Sequence, residues 1–563
     1  MTERVLAGVP ASPGTAFGGV RRLDAAGEID GTVLEDVLRP AAAARALEAL
    51  TQSARELDEL AGKLRSEGRT EEADILDAGT MMAEDPVLLE SVENAVLSRG
   101  LTAASAILVE VETVARQLDT LGDPELAARA ADVRSLARRA SRLASGDAGG
   151  ARRKTAGDAI LVAPDLGPAD VIELDSDVSG IALAVGGVTG HAAIVARGLG
   201  LPMVVGLGNG VLSLIEGEPC IVDADRSAVI VSPDSARVAA VRRAIAAARE
   251  AHGRAMAARA LPTVTRDGRF VRVLANAATP IEVRAALEAG ADGIGLLRTE
   301  LAFLEAKHWP TVAEHRRTLE PVLTPLRGRT ATVRLLDFGG DKTPPFLKGV
   351  HGRGVELLLE DGEEALSAQL EAILETGDAT ELRVLIPMVT EAGQVRAVRA
   401  AIDRIAARRG SRVPLLAAMV EVPAAAVMAD RLAPEVGMFS IGTNDLTSFQ
   451  LGIDRTRPGG SPSHHPAVLR LIAATVEAAR TAGIPVEVCG ESASSPLVMP
   501  LLVGLGVDEL SVGAAAVARV RGWVRALDFA EAAIIARRAL DAESAGQVEL
   551  LERPLRALLD DAG

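Results

Sequence analysis

The chain has 563 residues, a net charge of −17 and only 2% aromatic residues, with no tyrosine. A chain of that length exceeds one core, so roughly three or four domains are expected. The acidic balance and scarce aromatics exclude a nucleic-acid platform, and no apolar run approaches membrane-spanning length.

Residues 4–20 read as extended segments around the turn Ala11-Ser12-Pro13-Gly14. From about 37 to 144 the pattern is helical, with candidates at 42–64, 70–82, 86–98, 101–119 and 124–143. Gly68, Asp85-Pro86 and Gly122-Asp123-Pro124 punctuate them. This predicts a helical bundle with no catalytic signature of its own. Short buried strands follow at Ala159–Ala163, Gly180–Val185, Met203–Val205 and Cys220–Val222. Together with the N-terminal strands they predict a small α/β domain, residues 1–20 and 145–232, interrupted by the bundle at 21–144. Residues 233–260 are rich in Ala, Arg and Glu and read as a solvated linker helix.

Within the α/β domain stands Gly186-Gly187-Val188-Thr189-Gly190-His191-Ala192-Ala193-Ile194-Val195-Ala196-Arg197. The glycines turn the chain from a strand into a helix, which puts His191 at the helix start. There a neutral imidazole is favoured and an anion welcome, so His191 is a candidate nucleophile and phosphate carrier. On this stretch alone, a helix-capping surface histidine is the other reading. The two cysteines, Cys220 and Cys489, lie far apart and have no metal-ligand spacing. They fit a reducing cytoplasm, as does an N-terminus, Met1-Thr2-Glu3-Arg4-Val5, without a signal-peptide run.

From 261 to 563 strands and helices alternate. Strand candidates are Val271–Ala275, Gly293–Leu297, Thr332–Leu336, Arg383–Ile386, Leu415–Val420, Met438–Ile441, Val486–Val488 and Glu509–Val512. Eight such units predict a TIM barrel, with an open doubly wound sheet as the alternative. Polar residues follow the strands: Asn276, Arg298-Thr299-Glu300, Asp337, Lys342, Glu421, Asn444-Asp445 and Cys489-Gly490-Glu491. Arg334 lies inside its predicted strand. In a barrel these positions share the active face. Glu421 and Asp445 supply hard oxygens suited to Mg²⁺, and Arg298, Arg334 and Arg455 supply planar forks for phosphate and carboxylate. Lys342 is a further phosphate contact. The set predicts a small, strongly anionic substrate.

These motifs resemble, in order, those of the phosphoenolpyruvate-utilising enzymes. They include the histidine segment, Gly-Ile-Gly-Leu-Leu-Arg298-Thr-Glu300, Arg334-Leu-Leu-Asp337-Phe-Gly-Gly-Asp-Lys342, Glu421-Val-Pro, Gly-Thr-Asn444-Asp445, Asp454-Arg455 and Cys489-Gly490-Glu491. Gly8-Val9-Pro10-Ala11-Ser12-Pro13-Gly14 and Met81-Met82-Ala83-Glu84-Asp85-Pro86 look like the enzyme I group of the bacterial sugar phosphotransferase system. The resemblance implies a phosphohistidine swivel domain with an inserted helical bundle, a linker helix and a phosphoenolpyruvate-binding barrel that dimerises. By the same resemblance Glu421 and Asp445 hold Mg²⁺, while Arg298, Arg334, Asn444, Asp445, Arg455 and Lys342 line the substrate site. His191 takes the phosphoryl group, Cys489 protonates the enolate to pyruvate, and the phosphocarrier protein HPr docks on the bundle.

The chain departs from that pattern in places. Gly190, Ala192 and Ala193 replace flanking hydroxyl residues, leaving Thr189 as the nearby hydroxyl. Glu356 falls where a second arginine is usual, with Arg353 close by. Two rival readings are a pyruvate phosphate dikinase or phosphoenolpyruvate synthase, and a phosphoenolpyruvate-responsive binding protein without turnover. The first needs a large ATP-binding region where this chain reads as a bundle. The second sits poorly with His191, Cys489, Glu421 and Asp445 all present.

Overall fold

A computed structural model describes residues 3–23, 32–66, 70–120, 124–146, 158–188, 190–304, 306–340, 342–453 and 462–560. The chain divides into two units, Met1–Ala248 and Arg249–Gly563.

In the first unit, strands β1 (Arg4–Ala7), β2 (Val9–Ser12) and β3 (Thr15–Arg22) precede five helices. These are α1 (Arg39–Ser66), α2 (Thr70–Ala83), α3 (Pro86–Arg99), α4 (Ala103–Thr120) and α5 (Pro124–Ala144). Strands β4 (Ala159–Ala163), β5 (Val178–Leu183), β6 (Met203–Val205), β7 (Pro219–Asp223) and β8 (Ala228–Val231) follow. Short helices α6 (Pro168–Ile172) and α7 (His191–Gly198) lie between them. The sheet order is β1-β8-β7-β3-β4-β5-β6-β2. Strands β3 and β4 pair in parallel, Gly19 opposite Ala159, although all of α1–α5 separates them in sequence. The bundle is therefore an insertion into one sheet.

The period of two in the strands sorts the core. Ile160 and Val162 face one apolar layer, and Leu161 and Ala163 face the other with Ala192, Val195 and Ala196 of α7. The bundle closes on residues at helical spacing, among them Ala46, Leu50, Val92, Val96, Ile107 and Val111. Asp85 caps α3, accepting from the Val87 and Leu88 N–H groups at 2.7 and 3.4 Å, with Pro86 in the first turn. Helix α8 (Ser235–Ala257) has no buried residue, as its sequence predicts for a solvated helix.

The second unit is a closed barrel of parallel strands. They are β9 (Arg272–Ala277), β10 (Gly293–Leu297), β11 (Thr330–Arg334), β12 (Glu381–Ile386), β13 (Leu415–Val420), β14 (Met438–Ile441), β15 (Val486–Val488) and β16 (Glu509–Gly513). Closure of β16 on β9 rules out the open sheet. Strand β11 differs from its sequence expectation by ending at Arg334. The Leu336 N–H leaves the ladder for the buried Gln369 side chain, 2.9 Å away, so the apolar Leu335-Leu336 pair is not strand.

One buried group on the barrel's outer layer is out of place electrostatically. His315, in the helix Val312–Leu323, is fully buried against Phe303 in an edge contact with centroids 5.0 Å apart. Neither ring nitrogen has a hydrogen-bond partner among the described residues. Burial pushes its pKa from 6.5 down to about 4, so the folded form excludes a proton that the unfolded form accepts. Stability is therefore full above the unfolded value of 6.5 and is lost as pH falls toward 4. Between neutral pH and pH 5 this group alone should cost the barrel about 2 kcal/mol. Denaturant titrations at both pH values should show that loss in the wild type and its absence in His315→Leu.

Candidate active site

The C-terminal ends of the barrel strands surround a pocket lined by Arg298, Arg334, Lys342, Glu421, Asn444, Asp445 and Cys489. Every barrel residue singled out from sequence as substrate- or metal-binding stands there except Arg455, which, like Thr189, lies outside the described residues.

The pocket is organised by ion pairs. The Arg334 side chain is buried and contacts Glu300 and Asp337, the latter at 3.3 Å. Lys342 Nζ lies 2.9 Å from Asp337 and 3.4 Å from Glu300. Burial opposes the charge on Arg334, but Glu300, Asp337 and Glu421 outweigh it and hold the guanidinium firmly protonated. Burial likewise opposes ionisation of Asp337, and Arg334, Lys342 and Arg353 overcome it, keeping this carboxyl below its ordinary range. The Thr299 hydroxyl donates to the Arg334 carbonyl at 2.8 Å and accepts from Gln369 at 2.9 Å, bracing the end of β11.

Glu421 is the exception. Burial, and then the charge of Asp337, push its carboxyl up to about 7. Its Oε1 accepts from the Met388 N–H at 2.8 Å. Met388 takes a positive φ of 55°, a conformation that side-chain-bearing residues rarely adopt. Such strain is tolerated where a backbone donor must be aimed. Gly490 is required where it stands, because a Cβ there would lie 1.8 Å from Thr443 Oγ1. This close approach brings the segment after β15 against the start of the helix that carries Asn444 and Asp445.

Cys489 is buried, and its Sγ accepts the Ser440 hydroxyl at 3.3 Å. Burial above all pushes the thiol up to about 12. Cys220, in β7, is pushed equally high by burial but lines no such pocket. Arg353 enters the site from its loop, with Nη2 3.4 Å from Asp445 Oδ2 and Nε 3.8 Å from Asp337 Oδ1. Glu356 is instead exposed on the following helix.

In the other unit, α7 begins at His191 with Gly190 as its N-cap. Arg197 ties the loop down, donating to the carbonyls of Ala11 and Val188 at 2.6 and 2.8 Å. His191 Nδ1 lies 2.7 Å from Asp132 Oδ2. A carboxylate only accepts, so Nδ1 carries the hydrogen, and in the neutral ring that tautomer leaves the lone pair on Nε2. Asp132 belongs to α5, so the bundle does reach the histidine, contrary to the expectation that it lacks any catalytic signature. A faint signal was present: Asp132, Ser135, Arg138 and Arg139 form a polar stripe at helical spacing. Arg138 pairs with Asp165 and Asp170 at 2.7 and 3.0 Å, so the stripe faces the α/β layer.

Three family descriptions match the chain: the N-terminal domain of phosphoenolpyruvate-utilising enzymes over residues 7–129, the mobile domain over 155–227 and the phosphoenolpyruvate-binding domain over 253–529. A multiphosphoryl transfer protein of Xanthomonas campestris is 36% identical over 98% of this chain and 67% of its own length. A phosphoenolpyruvate-protein phosphotransferase of Haemophilus influenzae is 32% identical over 97% of this chain and 98% of its own. Among solved structures, one titled Enzyme I (nEIt) matches 43% of this chain and 99% of its own at 31% identity, with a TM-score of 0.33.

The Asp132 contact makes a measurable claim about the imidazole. Long-range ¹⁵N–¹H NMR should find His191 as the Nδ1–H tautomer in the wild type. Asp132→Ala should shift the population toward Nε2–H without changing the melting profile. An unchanged tautomer ratio would remove Asp132 from the site.

Proposed function

This chain belongs to the phosphoenolpyruvate-utilising enzymes, and on that premise we propose that it is a phosphoenolpyruvate–protein phosphotransferase of the enzyme I type. It moves the phosphoryl group of phosphoenolpyruvate to His191, releases pyruvate, and passes the group to a histidine of the phosphocarrier protein HPr. The observation that carries the reading is the pocket itself, where cations, paired carboxylates and a protonated thiol meet at one barrel mouth.

Arg298, Arg334 and Lys342 bind the phosphate and carboxylate, with Asn444 orienting them and Arg455 as a further phosphate contact. Phosphoryl transfer of this kind depends on positioning and charge neutralisation more than on covalent help. Glu421 and Asp445 suit Mg²⁺, an ion that takes one or two carboxylates and fills its shell with water and substrate oxygens. The fit rests on Glu421, whose raised pKa marks a place short of positive charge. The described residues offer no cluster of three or more His, Cys, Asp or Glu side chains able to hold a metal ion, so the protein would supply two carboxylates at most. When bound, the ion would offset charge on the phosphate and the departing oxygen.

The His191 Nε2 lone pair attacks phosphorus, forming the N–P bond as the P–O bond to the enol carbon breaks. Asp132 steadies the imidazole as it becomes cationic. The enolate then takes a proton at its methylene carbon from the Cys489 thiol. With its pKa near 12 the thiol still holds that proton at neutral pH, in a pocket sheltered from water. The bundle supplies the docking surface for HPr, and the barrel is the element through which two copies of the chain pair. The enzyme works in the cytoplasm; among the described residues no helix is long and apolar enough to cross a membrane.

Incubation with phosphoenolpyruvate and Mg²⁺ should place one acid-labile phosphate on His191, and His191→Ala should accept none. Label on any other histidine of that variant would overturn the assignment. Cys489→Ala should bind phosphoenolpyruvate and melt as the wild type does, yet form pyruvate on the order of a hundredfold more slowly. Pyruvate made from C3-labelled substrate in deuterated water should lose its facial preference. A fast, stereoselective variant would mean that another group donates the proton.

A further inference from the structure

Among the polar residues that close the barrel strands, Asn276 stands apart. It is the next-to-last residue of β9, and it is not one of the residues lining the pocket. Its side chain reaches instead to Cys489, 213 positions away in sequence, where Nδ2 donates to the Cys489 carbonyl at 2.9 Å. A carbonyl only accepts, so the amide nitrogen must face it and the amide oxygen must face elsewhere. That oxygen accepts from the buried Ser511 hydroxyl of β16 at 2.6 Å. Both ends of the amide are thereby fixed, and the side chain has one orientation.

Cys489 needs such a bond because its strand has run out. The last ladder pair between β15 and β16 joins Val488 to Leu510, whereas β16 continues along β9 as far as Gly513 opposite Asn276. Past the end of its strand, the Cys489 carbonyl must find a donor outside the sheet. Asn276 supplies it. The Cys489 N–H is held separately, by the Ile441 carbonyl of β14 at 3.1 Å. Peptide groups are planar, so holding the one before and the one after the α-carbon fixes the direction of its Cα–Cβ bond. The thiol itself is met by the Ser440 hydroxyl at 3.3 Å and by the Ile441 carbonyl at 3.6 Å, both on β14. The Asn276 bond is the one that ties Cys489 to the β9 side of the mouth.

Resting on the reading of Cys489 as the acid that protonates the enolate, we propose that Asn276 is the positioning residue for that acid. Its amide, aimed by Ser511, fixes the Cys489 backbone so that the thiol presents its proton to one face of the enolate. The methylene carbon of an enolate is planar, so the face that receives the proton is decided by where the donor stands. The C–H bond forms as the S–H bond breaks, the thiolate stays on Cys489, and a proton from water restores the thiol. Asn276 acts through Cys489 and not on the substrate.

Asn276→Leu keeps the bulk and removes both hydrogen bonds, and it is compared with Cys489→Ala. Phosphoenolpyruvate labelled stereospecifically at C3 is turned over in deuterated water with Mg²⁺ and excess HPr, and the chirality of the pyruvate methyl group is read. In Asn276→Leu the facial preference should fall and kcat should drop by up to about a hundredfold, the cost of a misplacement of about 1 Å, while KM for phosphoenolpyruvate stays as in the wild type. A residue that only stabilised the barrel would lower the melting temperature and leave the facial preference whole. Ser511→Ala frees the amide to rotate and should erode the preference as well, which keeps the test open if Asn276→Leu does not fold. Full selectivity in folded Asn276→Leu, or in Ser511→Ala where the first variant fails to fold, beside an unselective Cys489→Ala, would overturn the role of Asn276 alone. A Cys489→Ala that is itself fast and selective would overturn the acid reading, and the role of Asn276 with it.

Discussion

The barrel site depends on one buried guanidinium. Arg334 stands at the last position of β11, cut off from water, and is tolerable there only because Glu300 and Asp337 meet it. Those carboxylates come from the loops after β10 and β11, so the pairing fixes how adjacent βα units end. Removing one partner of such a buried pair typically costs about 3–5 kcal/mol, because a charge is stranded. A well-packed apolar replacement would cost less, so the cluster is better explained by the geometry it imposes than by net stability. Lys342 and Arg353 are drawn in by the same carboxylates. Glu421 is left as the member whose charge is least supported, its carboxyl raised by burial and by Asp337.

A similar logic anchors the histidine. Arg138 binds Asp165 and Asp170, and Arg139 binds Glu56 at 3.0 Å and also contacts Glu173. Burial works against both arginines, and the acidic neighbours more than compensate, so both stay charged. These pairs fasten α5 to the segments around α6, which sets where Asp132 meets His191. In the proposed mechanism the inserted bundle thereby helps to choose the reactive ring nitrogen.

Two cysteines with the same burial-driven pKa have different meanings. Cys220 is enclosed among Val222, Val229 and Val231, where a thiol behaves as a small apolar side chain. Cys489 follows the end of β15, with the Ser440 hydroxyl beside it and the pocket above it. Chemical state does not separate them; position does, since Cys489 lines the barrel-mouth pocket and Cys220 an apolar layer.

Much of this was legible in the chain itself. Strands β10, β13, β14 and β15 match their predicted bounds, because parallel strands buried on both faces are short apolar runs stopped abruptly by polar residues. Once the runs number eight, the polar residues after them must share one mouth, and Arg298, Glu421, Asn444, Asp445 and Cys489 follow without coordinates. Strand β8 was not foreseen, since Ala228–Val231 is too short to display a period. The end of β11 was misjudged because the deciding donor–acceptor pair, Leu336 with Gln369, is 33 positions apart. Asp132 lies 59 positions from His191 and looks locally like any helical aspartate. Glu487 sits between two valines and reads as an ordinary alternation until closure buries it opposite Gly295. Sequence periodicity determines which residues share a face and which end of a strand they occupy. Which charge answers which, and which polar group has no partner, depends on distances that exist only after the sheet has closed.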